Sequence, residues 1–387
     1  MTFSAFDREA MARALELAAH GLETAQPNPR VGCVIARDGR IVGEGWHARA
    51  GEAHAEVMAL RAAGAAAAGA TAYVTLEPCA HHGRTPPCVD ALLQARVARV
   101  VFAVADPNPR VNGLGARQLR ERGVQVESGL LAPEAEALNE GFFKRMRTGR
   151  PWVRVKIAMS LDGRTALANG ESRWITAAAA REDVQRWRAR SSAILTGVGT
   201  VLADDPRLDV RLSEPRNGPR PPLLRVVLDS RLRMPVEARL FAVPGEVMLV
   251  GVPPPPGLET AHALRLASLS RHATVVTLQA DLCGRVSLPE TLDLLGAREV
   301  NELWVEAGPR LAGALLAQWL VDELILYVAP KLLGPQARPL AELPELTRLQ
   351  DAPGFVMMEA RPIGADLRLR LRPDRQQLGH EPAMDRR

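Results

Sequence analysis

Four residues near the start of the chain could do chemistry together. They are His54 and Glu56 in Gly51-Glu52-Ala53-His54-Ala55-Glu56, and Cys79 and Cys88 in Glu77-Pro78-Cys79-Ala80-His81-His82-Gly83-Arg84-Thr85-Pro86-Pro87-Cys88. One His and two Cys make three ligands, the number a catalytic zinc takes while leaving its fourth position to water. A water on such a zinc loses its proton at about pH 7. A Glu two residues after the His can carry that proton without being a ligand. The chemistry this set predicts is hydrolytic: attack on an amino-bearing ring carbon, with Glu56 moving the protons. Two residues usually separate the two Cys of such a site, whereas here eight do.

Taken singly, these residues carry bland readings. A lone His-x-Glu is noise, and buried cysteines are common as inert core residues. Cys33, inside a predicted strand, is read as core, Cys283 as a loop residue and His20 as a helix-surface residue. His47, His81 and His82 are equally open to a substrate contact or a hydrogen-bonded loop role.

The second half of the chain offers turns instead of ligands. Ser160-Leu161-Asp162-Gly163-Arg164-Thr165-Ala166 follows a predicted strand, and so do Thr196-Gly197-Val198-Gly199-Thr200 and Val305-Glu306-Ala307-Gly308-Pro309-Arg310-Leu311-Ala312-Gly313. Such turns let backbone N–H groups approach a phosphate at a helix N-terminus. Each alone is also an ordinary tight turn, because no G-x-G-x-x-G stands in the dinucleotide-binding position.

The elements that must position these groups follow from hydrophobic period and breakers. Asp7 to Leu22 reads as a helix, Val31 to Ala36 and Ile41 to Gly45 as a hairpin through Asp38-Gly39, and His54 opens a second helix. Ala72 to Leu76 is a strand with Cys79 in the loop beyond it, and Pro87-Cys88 opens a helix. Arg99 to Ala105 is a strand, Gly113 to Arg122 a helix, and Pro133 through Lys144 one further helix. Thr148-Gly149-Arg150-Pro151 marks a domain boundary. Beyond it Trp152 to Ser160 reads as a strand, Ala177 to Arg190 as a helix capped by Thr176, and Ala193 to Thr196 as a strand. Buried strands are expected at Leu224 to Leu228, Val247 to Val250, Thr274 to Leu278, Leu303 to Glu306 and Leu324 to Val328. Glu214 to Pro222 and Pro253 to Gly257 are Pro-rich surface loops. The organisation predicted is a domain over 1–149, a domain over 150–372 and a disordered tail over 373–387. Strands alternating with helices make both domains α/β.

Composition narrows the classes. A chain of 387 residues exceeds one ordinary core, and 47% hydrophobic with 24% charged residues suits a globular protein. No apolar run approaches the roughly 20 residues of a membrane span, and with Asp7 and Glu9 early and no basic start before an apolar block, a secretory signal is not expected. Four Cys do not make a disulfide framework, so a reducing, cytoplasmic setting is expected. The net charge of +5 is dispersed, and 4% aromatic residues argue against a stacking platform for single strands. Small anionic substrates fit better than nucleic acid.

Pro27-Asn28-Pro29 with Val31-Gly32-Cys33-Val34, the His54 and Cys79–Cys88 stretches above, and Asp106-Pro107-Asn108-Pro109 closely resemble the bifunctional riboflavin-biosynthesis deaminase–reductases. In that family the longer gap between the two Cys is the rule. Gly170-Glu171-Ser172-Arg173-Trp174-Ile175-Thr176 and Ala329-Pro330-Lys331-Leu332-Leu333-Gly334 join the three turns in resembling its reductase half. The resemblance implies a cytidine-deaminase-like α/β/α domain followed by a dihydrofolate-reductase-like α/β domain. It implies one zinc on His54, Cys79 and Cys88, and NADPH in the second domain. The implied substrate is a diaminopyrimidinone carrying a ribosylamino 5′-phosphate, held by Asn28, His47, His82 and Arg84. The second implied step turns the ribosyl group of the product into ribityl. For that step Ala158, Trp174, Thr200, Asp204, Ser230 and the turn Gly308, Pro309, Arg310, Leu311, Ala312, Gly313 and Ala314 would contact the cofactor. Ser172, Arg188, Leu208, Arg211 and Glu306 would contact the substrate. Arg188 and Arg211 have the planar forks that suit a phosphate. Lys156 and Asp204 are the charged candidates for polarising the sugar or relaying a proton, or else form an ordinary ion pair. A homo-oligomer is expected. Two rivals stand: a nucleic-acid or nucleoside base deaminase with an accessory domain, and a structural zinc-binding module that assembles partners.

Overall fold

The computed structural model describes residues 3–80, 86–108, 112–213 and 218–374. The chain forms two compact units, Met1–Pro151 with Glu214–Pro221, and Trp152–Ser213 with Pro222–Arg387. Of the segment read as a Pro-rich loop, residues 218–221 are counted with the first unit. Within that unit Arg220 Nε donates to Glu23 Oε2 at 2.6 Å.

The first unit starts with α1 (Ala5–Ala19). Its capping box is local: Ser4 Oγ accepts from Asp7 N at 3.0 Å, and Asp7 Oδ2 accepts from Ser4 N at 2.8 Å. β1 (Gly32–Arg37) and β2 (Arg40–Trp46) follow, joined by Asp38 and Gly39 at φ 52° and 71°, which a two-residue hairpin turn requires. Then come α2 (Ala55–Ala63), β3 (Thr71–Val74), α3 (Cys88–Gln94), β4 (Arg99–Phe102), α4 (Leu114–Glu121) and β5 (Gln125–Ser128). The sheet order is β2-β1-β3-β4-β5, with β1 antiparallel to both neighbours and β3, β4 and β5 parallel. Period two sends Cys33 and Ile35 to the face covered by α2, α3 and α4, and Val34 and Ala36 to the face covered by α1. Gly43 and Gly45 let α2 lie close on β2: a Cβ on either would come within 2.3–2.4 Å of Ala59 backbone atoms.

The helix expected from Pro133 through Lys144 is two, α5 (Ala132–Leu138) and α6 (Glu140–Thr148). Asn139 breaks it because its buried amide pairs with the backbone of Arg30. Asn139 Oδ1 accepts from Arg30 N, and Asn139 Nδ2 donates to Arg30 O, each at 2.8 Å.

The second unit runs β6 (Trp152–Ser160), β7 (Arg164–Ala166), α7 (Ala178–Arg190), β8 (Ala193–Gly197), α8 (Val198–Asp204), β9 (Leu224–Leu228), β10 (Val247–Gly251) and α9 (Glu259–Leu269). It continues with β11 (Thr274–Thr277), α10 (Leu288–Ala297), β12 (Glu302–Glu306), α11 (Pro309–Ala317), β13 (Glu323–Ala329), β14 (Arg338–Pro339), β15 (Phe355–Ile363) and β16 (Asp366–Pro373). A nine-stranded sheet has the order β11-β10-β9-β8-β12-β6-β13-β16-β15. It is parallel from β11 to β13, and β16 and β15 add antiparallel. One face packs Val153, Val155, Leu303, Val305 and Leu324 against α10 and α11. The other packs Trp304, Ile325 and Tyr327 against α7.

Two expectations are corrected here. Thr176 does not cap α7: the cap position is Ala177, whose N–H goes to Asp366 Oδ2 at 2.7 Å. The tail does not begin at Pro373, which ends β16, and Asp374 N donates to Gly354 O at 2.9 Å. Residues 375–387 of the expected tail lie outside the described residues. No helix among the described residues is long and apolar enough to cross a membrane.

Candidate active sites

In the first unit the sheet brings three ligand-bearing segments together. His54 stands at the cap position of α2, Cys79 in the loop after β3, and Cys88 at the first residue of α3. His54 Nδ1 lies 3.2 Å from Cys88 Sγ and 3.6 Å from Cys79 Sγ, and all three ligand atoms fall within 4.8 Å of one another. A tetrahedral ion with Zn–S of about 2.3 Å and Zn–N of about 2.0 Å sets neighbouring ligand atoms roughly 3.5–3.8 Å apart. The donor set and its spacing therefore fit zinc. Among the described residues no fourth His, Cys or carboxylate joins the cluster. A closed structural site would need one.

The electrostatics suit a metal ligand and a proton carrier. The Cys88 thiol and its backbone N–H, at 3.3 Å, bond to Cys79 Sγ, and with His54 they pull the Cys79 thiol down to about 4. The same bond and burial push Cys88 up. Glu56 is 4% exposed. Burial, and then the charge of Cys79, push it up to about 7, where a carboxyl can both take and give a proton near neutral pH.

Asn28 and His47 stand beside this cluster. The His47 ring lies edge-on to His54 at 5.2 Å. Its Nδ1 is 3.2 Å from the Ala53 carbonyl, which can only accept, so Nε2 is the acceptor for Asn28 Nδ2 at 3.0 Å. Burial holds His47 below its ordinary value, in keeping with that neutral tautomer. His81, His82 and Arg84 lie outside the described residues.

Sequence reasoning quoted Glu77 only as part of a motif, yet it holds the Cys79 loop in place. It is 3% exposed, and its carboxylate accepts from Asp106 N, Gly113 N and Ala116 N at 3.3, 3.0 and 3.1 Å. Asp106, pushed up to about 6 chiefly by burial, turns its own loop by accepting from Asn108 N at 2.8 Å. A charged residue directly before Pro-Cys, too close to the ligand to be solvent-exposed, was the signal available.

In the second unit the predicted residues fall into two groups. Arg188 forks onto Glu306, with Nε to Oε1 at 2.6 Å and Nη2 to Oε2 at 2.9 Å, and its Nη1 donates to Asp209 O at 2.8 Å. Lys156 sits opposite Glu306 in the parallel register of β6 and β12. Burial lowers its pKa, opposed by Glu306. For Glu306 burial acts upward, but Arg188 and Lys156 outweigh it and hold the carboxyl at about 2. Arg211 reaches the same place through Asp209, Nη1 to Oδ1 at 2.7 Å. Leu208 does not join them by its side chain: the residue is 2% exposed and belongs to the core under α7.

The other group lines the ends of β8 and β12, which are neighbours in the sheet. α8, which carries Thr200, and α11 begin there at Gly197 and Gly308. A Cβ added at Gly199 or Gly308 would meet nothing within 4 Å. Two helix starts side by side at the C-terminal edge of parallel strands, with open space at their glycines, fit a dinucleotide phosphate. Ala158 is on β6, and Ser230, beyond β9, accepts from Val286 N at 3.2 Å. Ser172 and Trp174 are in the loop before α7. The Trp174 ring is 64% exposed with Arg181 over it at 4.5 Å, and its carbonyl accepts from Lys331 Nζ at 2.9 Å.

Not all of the predicted turn is open. Pro309, Arg310 and Leu311 form the first turn of α11, but Ala312 and Gly313 are buried and Ala314 packs against the core. A Cβ on Gly313 would come within 2.0 Å of Glu342 O, so that glycine admits the chain itself. Lys156 and Asp204 have different charged neighbours. Those of Lys156 are Glu306 and Arg188, while Arg173 Nη2 donates to Asp204 O at 2.9 Å.

Comparison with known proteins agrees with this two-part geometry. Residues 151–367 match the family described as RibD C-terminal domain, and residues 4–104 match the cytidine and deoxycytidylate deaminase zinc-binding region. The riboflavin biosynthesis protein RibD of Escherichia coli strain K12 is 52% identical over 374 residues, covering 94% of this chain and 99% of its own. That of Haemophilus influenzae is 48% identical over 388 residues, covering 96% and 99%. Among solved structures, Acinetobacter baumannii RibD superposes with TM-score 0.85 at 43% identity, over 95% of this chain and 99% of that one. The diaminohydroxyphosphoribosylaminopyrimidine deaminase/5-amino-6-(5-phosphoribosylamino)uracil reductase of Thermotoga maritima superposes with TM-score 0.81 at 32% identity, over 95% and 99%. The chain therefore belongs to the RibD family and is a bifunctional enzyme of riboflavin biosynthesis, with a deaminase domain followed by a reductase domain.

Proposed function

We propose that the first unit hydrolytically deaminates 2,5-diamino-6-(5-phosphoribosylamino)pyrimidin-4(3H)-one. The second unit then reduces the ribosyl group of the product to ribityl with NADPH. The observation that carries the reading is the meeting of His54, Cys79 and Cys88 beside a buried Glu56 poised at about 7. One zinc held by those three would supply a Lewis acid that makes water acidic at neutral pH. Glu56 takes the proton of the attacking water on a carboxylate oxygen and returns it to the departing amine. Asn28 and His47 orient the pyrimidine, with His82 and Arg84 assigned to the same task. Glu77 keeps Cys79 in register through its three backbone donors.

NADPH would supply the hydride in the second unit, and the residues there orient two bound molecules. Gly308 and Pro309 with the start of α8 receive the cofactor's phosphates, and Trp174, Ala158, Thr200, Asp204 and Ser230 line its path. Arg188 and Arg211 receive the substrate's phosphate, with Glu306 and Ser172 on its sugar. Lys156, paired in register with Glu306 on the neighbouring strand, is the residue assigned to polarise the reacting carbonyl. β15 is an edge strand with Val356, Met357 and Met358 each about half exposed, which supports a second copy of the chain covering that edge. The setting is cytoplasmic, and nucleic acid is not a partner.

The test is zinc analysis together with turnover of the diaminopyrimidinone phosphate, following ammonia and NADPH separately. One zinc per chain, with ammonia release preceding NADPH consumption, is expected. Ammonia release by a zinc-free chain, or NADPH consumed before any ammonia appears, would overturn the reading.

A further inference from the structure

We propose that Trp304 is a positioning residue of the reductase site: its indole N–H fills the inner oxygen of Glu306 and fixes the carboxylate plane, so that the outer oxygen is held ready to accept a hydrogen bond from the substrate. The proposal rests on the reading of Glu306 and Arg188 as substrate contacts.

Period two along β12 puts Trp304 and Glu306 on one face. Trp304 is fully buried, and its Nε1–H donates to Glu306 Oε1 at 2.8 Å. Arg188 Nε donates to that same oxygen at 2.6 Å, and Arg188 Nη2 to Oε2 at 2.9 Å. An ionised carboxylate offers about four lone-pair sites, two on each oxygen. Both sites of Oε1 are taken, and one of the two on Oε2. The Glu306 side chain keeps 19% of its surface exposed, so it is not closed off from a ligand, and the remaining site on Oε2 is the one assigned to it. A sugar hydroxyl of the substrate can donate to it.

The indole cannot turn away. Its ring stacks on Trp187 with centroids 5.9 Å apart and planes within 6°. The Trp187 ring is in turn surrounded by the guanidinium groups of Arg154, Arg190, Arg368 and Arg370 at 5.2–5.7 Å. Those cations are themselves held: Arg154 by Glu302 and Glu323, Arg368 by Asp183, and Arg370 by Glu323. Trp187 and Arg188 are consecutive on α7, and Trp304 and Glu306 share a face of β12. Helix and strand are therefore bracketed twice, once by the ring stack and once by the fork. With the N–H removed, Arg188 still binds Glu306, but the inner oxygen gains an empty site and the carboxylate loses one of the three hydrogen bonds that fix its plane.

The test uses the full-length enzyme carrying Trp304→Phe, with 5-amino-6-(5-phosphoribosylamino)uracil and NADPH as substrates. The expected result is a KM for the uracil about tenfold higher, the scale of a lost hydrogen bond to a charged group. kcat should change less than twofold, and the KM for NADPH should not change. Equal losses in kcat and in both KM values would mark a merely structural role and overturn the proposal. Should the Phe variant fold poorly, single-site replacement of Trp304 by benzothienylalanine keeps the ring shape and removes only the N–H. A wild-type KM for the uracil in that protein would equally overturn it. If the unaltered enzyme fails to consume NADPH with this uracil, the assigned reaction is at fault and not the role of Trp304.

Discussion

The two sites bury their carboxyl groups in opposite ways. Burial and the charge of Cys79 raise Glu56 to about 7, whereas Glu306 is enclosed between Arg188 and Lys156 and stays ionised down to about 2. The first arrangement makes a group that changes its proton at working pH, which hydrolysis needs. The second makes a fixed charge, which suits a site whose hard chemistry comes from a bound cofactor and whose protein part orients. They differ equally in reach along the chain. His54 and Cys88 are 34 residues apart, Arg188 and Glu306 118, and Arg154 and Glu323 169.

The sharpest way to break this contrast is to remove the metal. Chelation, or Cys88→Ala, should abolish ammonia release while NADPH consumption with the deaminated intermediate continues, as separate assays would register. Loss of both activities would mean that the two sites are not independent. Glu56→Gln comes next. Zinc content should be unchanged and ammonia release reduced by about 10²–10⁴-fold, the usual share of a general acid–base group. Metal lost with turnover retained would reverse the roles assigned to Glu56 and the ligands.

Glu306→Gln probes the other kind of burial. A carboxyl whose folded-state pKa is depressed contributes stability above its ordinary value near 4.5 and loses it as pH falls toward 2. At pH 7 the variant leaves Arg188 buried without its partner charge, and the reductase unit should lose about 3 kcal/mol. Near pH 2 the variant and the unaltered enzyme should converge. Denaturant unfolding at the two pH values checks this. An equal deficit at both would mean that the loss is packing and not charge.

This contrast also decides what could be read from the residues alone. The zinc set was legible because ligand types and order are local, and the eight-residue gap between Cys79 and Cys88 separated it from shorter-looped sites. Strands and helices with strong period were legible for the same reason. What escaped depended on distant partners. Asn139 looks like any polar residue in a helix until its amide is seen to complete the backbone of Arg30. Gly313 looks like a phosphate-turn glycine until the chain at Glu342 is found against it. Leu208 matches a family position, yet it turns its side chain into the core. The network joining Trp187, Trp304 and four arginines has no local signature at all.

The smallest expected effect tests that division directly. α1 is capped by its own sequence, through Ser4 and Asp7 three residues apart, and such a cap is visible in the chain as written. α7 has Thr176 in front of it, which invites the same reading, but the carboxylate on the Ala177 N–H comes from Asp366, 189 residues away and 4% exposed. Asp366 thus does for α7 what the third helical residue does in a capping box, at a distance no local pattern could reveal. Asp366→Ala should lower the melting transition of the reductase unit by roughly 2–4 °C, corresponding to about 1 kcal/mol. Ammonia release should be untouched. Thr176→Val should leave the transition where it is, because nothing in α7 uses that hydroxyl as a cap. If instead Thr176→Val lowers the transition and Asp366→Ala does not, the helix is capped locally after all. The contrast between a locally written cap and a remotely assembled one would then fail at its simplest point.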